Sequence, residues 1–208
     1  MSEPTDFHPE HNMLLRKLRS ISPLSKDETH NLQALRFTTK SFAPDQVVVR
    51  EGDRPSECCL VVEGFVCRYK FTEEGKRQIF SFHTPGDIPD LQSLNLKVMD
   101  HSMMTMTPCK LAFIEHDNLT RVFRQCPRIA DLMWRDTLID AAIFREWMVG
   151  IGRRSHTRAL PMSCAKSSCA CGRLGWLTAM NASCLSRKAN LEMRSDYRRS
   201  TSTVRFRS

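Results

Sequence analysis

Nine cysteines and seven histidines are the residues of this chain best suited to metal or redox chemistry, and their spacing argues against both. Cys164, Cys169 and Cys171 do not form the paired C-x-x-C spacing of a zinc site. Cys58, Cys59 and Cys67 fall in or beside strand-like runs, where a thiol packs as a small hydrophobe. A metal-dependent enzyme on a roll of strands wants H-x-H spacing, and His83, His101 and His116 do not provide it. The expectation is no metal, no cofactor and no catalysis. The opening residues MSEPTDFHPEHNM are acidic and polar, without the apolar segment of a secretory signal. No apolar run reaches the roughly 20 residues of a membrane span. The expected compartment is the cytoplasm, with no membrane partner and with thiols reduced rather than paired.

The elements that must position any site read in two styles. Residues 12–35 look helical, with Met13, Leu14, Leu18 and Ile21 on one helical face. Ser25-Lys26-Asp27-Glu28 is a capping box. From Phe37 the pattern turns to short strands: 47–49, 59–62, 65–69, 78–82 and 110–114. Gly52, Gly64, Gly75 and Gly86 punctuate them at intervals of 12, 11 and 11 residues, the turn spacing of an all-β roll. Glu73-Glu74-Gly75 reads as a polar hairpin tip, with Arg68 and Lys70 beside it facing solvent. His116-Asp117-Asn118-Leu119 opens a short helix, and a second helix runs from Arg128 to about Ile151. On the second, Ile129, Leu132, Ile139 and Ile143 share a face that Asp136 and Glu146 interrupt.

The ordered set Glu51-Gly52-Asp53, Leu60-Val61-Val62-Glu63-Gly64-Phe65-Val66, Glu74-Gly75-Lys76 and Thr84-Pro85-Gly86-Asp87 resembles the sensor domain of the Crp/Fnr bacterial transcription regulators. The resemblance runs from about Leu14 to Arg154. It implies an α+β fold: a cyclic-nucleotide-binding-like β-roll (a double-stranded β-helix, or jelly roll) with an N-terminal helix and a long C-terminal dimerisation helix. In domains this gives 1–11 disordered, 12–127 the sensor roll and 128–154 the dimerisation helix. Ile129, Leu132, Ile139 and Ile143 then meet a second copy in a homodimer. The alternative is that this stripe packs only on its own roll.

Members that bind a cyclic nucleotide grip its phosphate with an Arg followed by Ser or Thr, since a guanidinium offers paired donors. At that place this chain has Asp100-His101-Ser102, and no arginine lies between Arg77 and Arg121. Cyclic AMP and GMP are therefore not expected as ligands. The oxygen-sensing members hold an iron–sulfur centre on N-terminal cysteines, and here no cysteine precedes Cys58. What is left is a pocket for an unknown small-molecule effector, lined by Gly86, Asp87, Asp90, Asp100 and His101.

The family's next domain, a winged helix-turn-helix, is not legible. Residues 155–208 hold ten Lys/Arg against two acids, while the rest of the chain carries 21 of each and is neutral. The whole net charge of +8 thus sits in a Ser- and Arg-rich tail without apolar period, which reads as disordered. Re-reading its reverse-translated codons in a neighbouring frame restores the missing pattern. Residues 191–208 can then yield GDALGLSAVHVNRTLQE, a helix-turn-helix sequence, and the stretch from Ser155 yields an amphipathic helix. A frameshift near Ser155 explains both. The rival is a native basic arm binding nucleic acid non-specifically. The chain reads as the effector-sensing and dimerising part of a regulator, without residues for specific DNA binding. The alternative is a stand-alone small-molecule-binding or dominant-negative module, forming mixed dimers with intact relatives.

Overall fold

The computed structural model describes residues 8–153, so the tail from Ser155 and the reading made of it lie outside the described residues. Helix α1 (Pro9–Ile21) starts three residues before the sequence pattern suggested. Pro9 in its first turn costs no hydrogen bond there. Pro23 follows its end and divides the helical stretch expected over 12–35 ahead of the capping box. Helix α2 (Lys26–Gln33) opens on the expected capping box. The Glu28 N–H donates to Ser25 Oγ at 3.1 Å, and the Ser25 N–H donates to the Glu28 carboxylate at 2.7 Å.

Seven strands follow: β1 (Thr38–Phe42), β2 (Val47–Val49), β3 (Glu57–Glu63), β4 (Val66–Phe71), β5 (Arg77–His83), β6 (Ser102–Thr105) and β7 (Cys109–Glu115). The short helix α3 (Ser93–Leu96) lies between β5 and β6; α4 (His116–Gln125) and α5 (Pro127–Arg153) follow β7. The strands form two antiparallel sheets, ordered β1-β7-β3 and β2-β6-β4-β5. This is the β-roll the glycine spacing predicts, and all four glycines have positive φ. Gly64 joins β3 to β4 at φ +85°, where an added Cβ would overlap the Pro108 carbonyl and approach Cys109 Sγ to 2.6 Å.

Two cores follow from side-chain alternation along β3 and β7. Cys59 and Val61, with Cys109, Leu111 and Phe113, point into the roll and meet Val66, Met99 and Met103. Cys58, Leu60 and Val62, with Ala112 and Ile114, point the other way, onto Leu14, Leu18, Leu119, Ile129 and Met133 of the helices. A strand covered on both faces has no polar side, which is why residues 58–62 read as one apolar run. The cysteines at 58, 59 and 67 are free thiols and fully buried, as expected. No helix among the described residues is long and apolar enough to cross a membrane.

Candidate effector site

Strand β4 builds the centre of the site. Val66 faces the roll interior, and Arg68, two residues on, keeps that direction; the ladder shifts register between Arg68 and Tyr69. The expectation that Arg68 faces solvent is overturned: it is 8% exposed. Lys70, beyond the shift, is exposed and pairs with Glu51 at 2.9 Å. A buried guanidinium needs hydrogen-bond acceptors. Arg68 Nε donates to the Pro89 carbonyl at 2.8 Å, Nη2 donates to the same oxygen, and Nη1 donates to Asp140 Oδ2 of α5 at 3.0 Å. Its pKa is lowered by burial, which the Asp140 and Asp90 carboxyls oppose.

Around that arginine lie the residues the sequence singled out. Gly86 turns the chain at φ +99° hard against α1, where a Cβ would come within 3.2 Å of Lys17 Cβ. Only a residue without Cβ takes both that φ and that approach at low cost. Asp87 closes the same turn, accepting from the Thr84 N–H at 2.8 Å and from Lys17 Nζ at 2.7 Å. Lys17 also reaches Asp136 of α5 at 2.8 Å. Asp90 is buried; its Oδ1 accepts from the Cys59 N–H at 2.8 Å, and burial pushes its carboxyl up to about 7. His83 is buried beside Ser81 Oγ at 2.6 Å, and burial, with Arg68 adding, holds its pKa well below the usual imidazole value. His101 is buried as well, with Nδ1 2.8 Å from the Asp100 carboxylate and its ring edge-on to Phe80. Burial lowers its pKa too.

The structure thus gathers Gly86, Asp87, Asp90 and His101 at one corner of the roll. Asp100 is different: its side chain is 65% exposed, pairs with His101 at 2.8 Å and acts on Arg68 from the rim. Lys17, Arg68, Phe80 and Asp140 also belong to the corner, and no sequence motif marks them. One signal was available. Asp136 and Asp140, one helical turn apart, interrupt the apolar face of α5, and acids on a buried face call for bases opposite. Asp136, an interruption of the apolar stripe in the sequence, is the partner of Lys17. Phe144, one turn further, packs on Phe80 with ring centroids 5.8 Å apart. Three successive turns of α5 therefore touch the corner.

The intended dimerisation stripe divides. Ile129 and Leu132 are 0% and 4% exposed in the protomer's own core, while Ile139 and Ile143 are half-buried. The first two cannot face a partner, because the first turns of α5 close the helical core instead. Among the described residues no group of three His, Cys, Asp or Glu is placed to hold a metal.

Residues 39–126, which include Gly86, Asp87, Asp90 and His101, match the family model of the cyclic nucleotide-binding domain. In this chain α1 and α2 precede the matched residues and α5 follows them. The transcriptional activator protein FnrL of Cereibacter sphaeroides is 20% identical over 152 residues, covering 73% of this chain and 60% of FnrL. The structure of FixK2 from Bradyrhizobium japonicum matches with TM-score 0.53 and 24% identity, over 57% of this chain and 59% of FixK2. A cyclic nucleotide-binding domain from Methylobacillus flagellatus matches with TM-score 0.55 and 18% identity, over 65% of this chain and 79% of that one. At these identities the structural likenesses establish the fold. The match spans about three-fifths of the length of FnrL and of FixK2.

Proposed function

We propose that this chain is the effector-sensing and dimerising part of a cytoplasmic Crp/Fnr-type transcription regulator, and not an enzyme. The observation that carries the reading is the pair of ion bridges from the sensor corner to α5. Lys17 joins Asp87 to Asp136, and Arg68 joins Pro89 to Asp140. A ligand that disturbs the corner therefore disturbs the helix, and a helix shared by two copies carries the change across the dimer. The roll comprises residues 12–127 and the dimerisation helix 128–154.

Specific reading of DNA needs a folded element in the major groove, and the Ser- and Arg-rich sequence of 155–208 has no helix-turn-helix pattern as written. The chain as written is proposed to bind operator DNA without sequence preference, through its basic tail alone. A mobility-shift assay with a relative's operator and a scrambled fragment tests this. Equal, weak retention that disappears between about 50 and 200 mM salt is expected; a preference for the operator refutes the reading. Sequencing the DNA around the Ser155 codon tests the frameshift directly. A second reading is favoured by the exposed Leu138 and Met148 on α5: a module that forms mixed dimers with an intact relative. Co-purification with a tagged full-length relative checks it.

A further inference from the structure

The Arg68 guanidinium is held from two sides that differ in kind. Two of its nitrogens donate to the Pro89 carbonyl, a backbone oxygen of the roll itself. The third donates to one oxygen of Asp140, a side chain that α5 brings in from outside and that is 27% exposed at the rim. The arginine head is therefore positioned by the roll without α5, whereas its acid partner arrives with the helix. A carboxylate can take two parallel donors from a guanidinium, and Asp140 meets Arg68 through one. Aromatic rings line the place: Phe80 with His101 at 5.7 Å between centroids, and Phe144 with its ring centre 5.9 Å from the guanidinium carbon.

We infer that the Asp140 position on Arg68 is an exchangeable carboxylate seat, and that the effector is a small monocarboxylic acid with a flat apolar body. This rests on the sensor reading above. Charge selects the class. Asp87, Asp136 and Asp140 already set three carboxylates at the corner against two basic groups, Lys17 and Arg68. An added anion would meet net repulsion, but one carboxylate exchanged for another leaves the balance unchanged. The incoming acid takes the Arg68 N–H donors, its ring lies against Phe80 and His101, and Asp140 turns to solvent. Loss of that bridge releases α5 at the turn between Asp136 and Phe144. Burial already lifts the Asp140 carboxyl to about 6, with Arg68 opposing, so its ion form is held there against a cost.

The test uses the full chain at neutral pH with benzoate as the probe, and calorimetry and thermal melting as readouts. In Asp140→Ala the internal competitor is gone. Benzoate is expected to bind this variant at least tenfold more tightly than wild type and to raise its melting temperature saturably, with acetate giving a weaker rescue. Arg68→Gln is expected to abolish binding, and Arg68→Lys, which keeps the charge without the fork, to weaken it by tenfold or more. Benzoate binding that is equal in wild type and Asp140→Ala, or unaffected by Arg68→Lys, overturns the seat. So does cyclic AMP binding that competes with benzoate more tightly than benzoate binds. A dimeric chain that ignores benzoate overturns the seat alone. A monomeric chain that binds it through Arg68 overturns the dimeric sensor and keeps the seat.

Discussion

At the scale of single residues, the corner of the roll is a balance between buried acids and buried bases, and its pH response carries opposite signs from the two. Asp90 has an ordinary carboxyl value of 3.8 when unfolded and about 7 in the fold. Folding therefore takes up a proton between those values, and stability falls as pH rises across that window. His83 and His101 do the reverse. Burial lowers both imidazoles, so the unfolded chain binds the extra protons and stability rises with pH up to the imidazole value of 6.5. Below 6.5 the two tendencies offset each other; above it only the Asp90 contribution is left. Asp90→Asn separates them. It keeps an oxygen for the Cys59 N–H but cannot ionise. Relative to wild type it is expected to gain stability as pH rises from about 4 to 7, with a slope approaching about 1.4 kcal/mol per pH unit. Urea titrations at several pH values check this; a flat difference would show that Asp90 is not held neutral by burial.

At the scale of elements, the sequence was most informative where one local rule settles the outcome. The capping box at Ser25 opens α2 because two hydrogen bonds close within four residues. The glycine intervals mark roll corners because each corner needs positive φ. β1 and β6 were not picked out, and each has a physical reason. Thr38–Phe42 is an exposed edge without alternation, and Ser102–Thr105 holds buried Ser and Thr whose hydroxyls serve turns. Thr105 Oγ1, for example, donates to the Ala43 carbonyl at 2.7 Å. The charge of Arg68 alone suggests solvent, but its direction is set by the parity it shares with Val66, and its partners Pro89 and Asp140 lie far along the chain. Not all corners are equal. Gly64→Ala places a Cβ against the Pro108 carbonyl at φ +85°, combining left-handed strain with overlap. It is expected to cost about 3 kcal/mol. Gly75→Ala at the open hairpin tip, with nothing within 4 Å, has strain alone, which costs about 1 kcal/mol. Urea midpoints of the two variants measure the contrast, and equal midpoints would remove the packing argument at Gly64.

At the scale of the whole molecule, what matters is which faces of α5 its own roll covers and which it leaves for the proposed partner. The inward face is fully committed: Ile129, Leu132 and Met133 close the helical core, and Asp136, Asp140 and Phe144 meet Lys17, Arg68 and Phe80. In the proposed dimer a second copy uses the opposite side, where Leu138 is 67% exposed. Leu138 lies half a turn from the Asp136–Asp140 contacts, so a substitution there leaves the effector corner untouched. Leu138→Glu sets two like charges against each other across a two-fold axis, since an isologous interface brings the same patch together from both subunits. The wild-type chain is expected to sediment as a dimer at micromolar concentration. The variant is expected to sediment as a monomer, with the same helical signal and the same urea midpoint for the roll once dimer dissociation is accounted for. A dimer that survives Leu138→Glu would mean that α5 pairs through another face. A wild-type monomer would mean that the inward packing of α5 is its whole role.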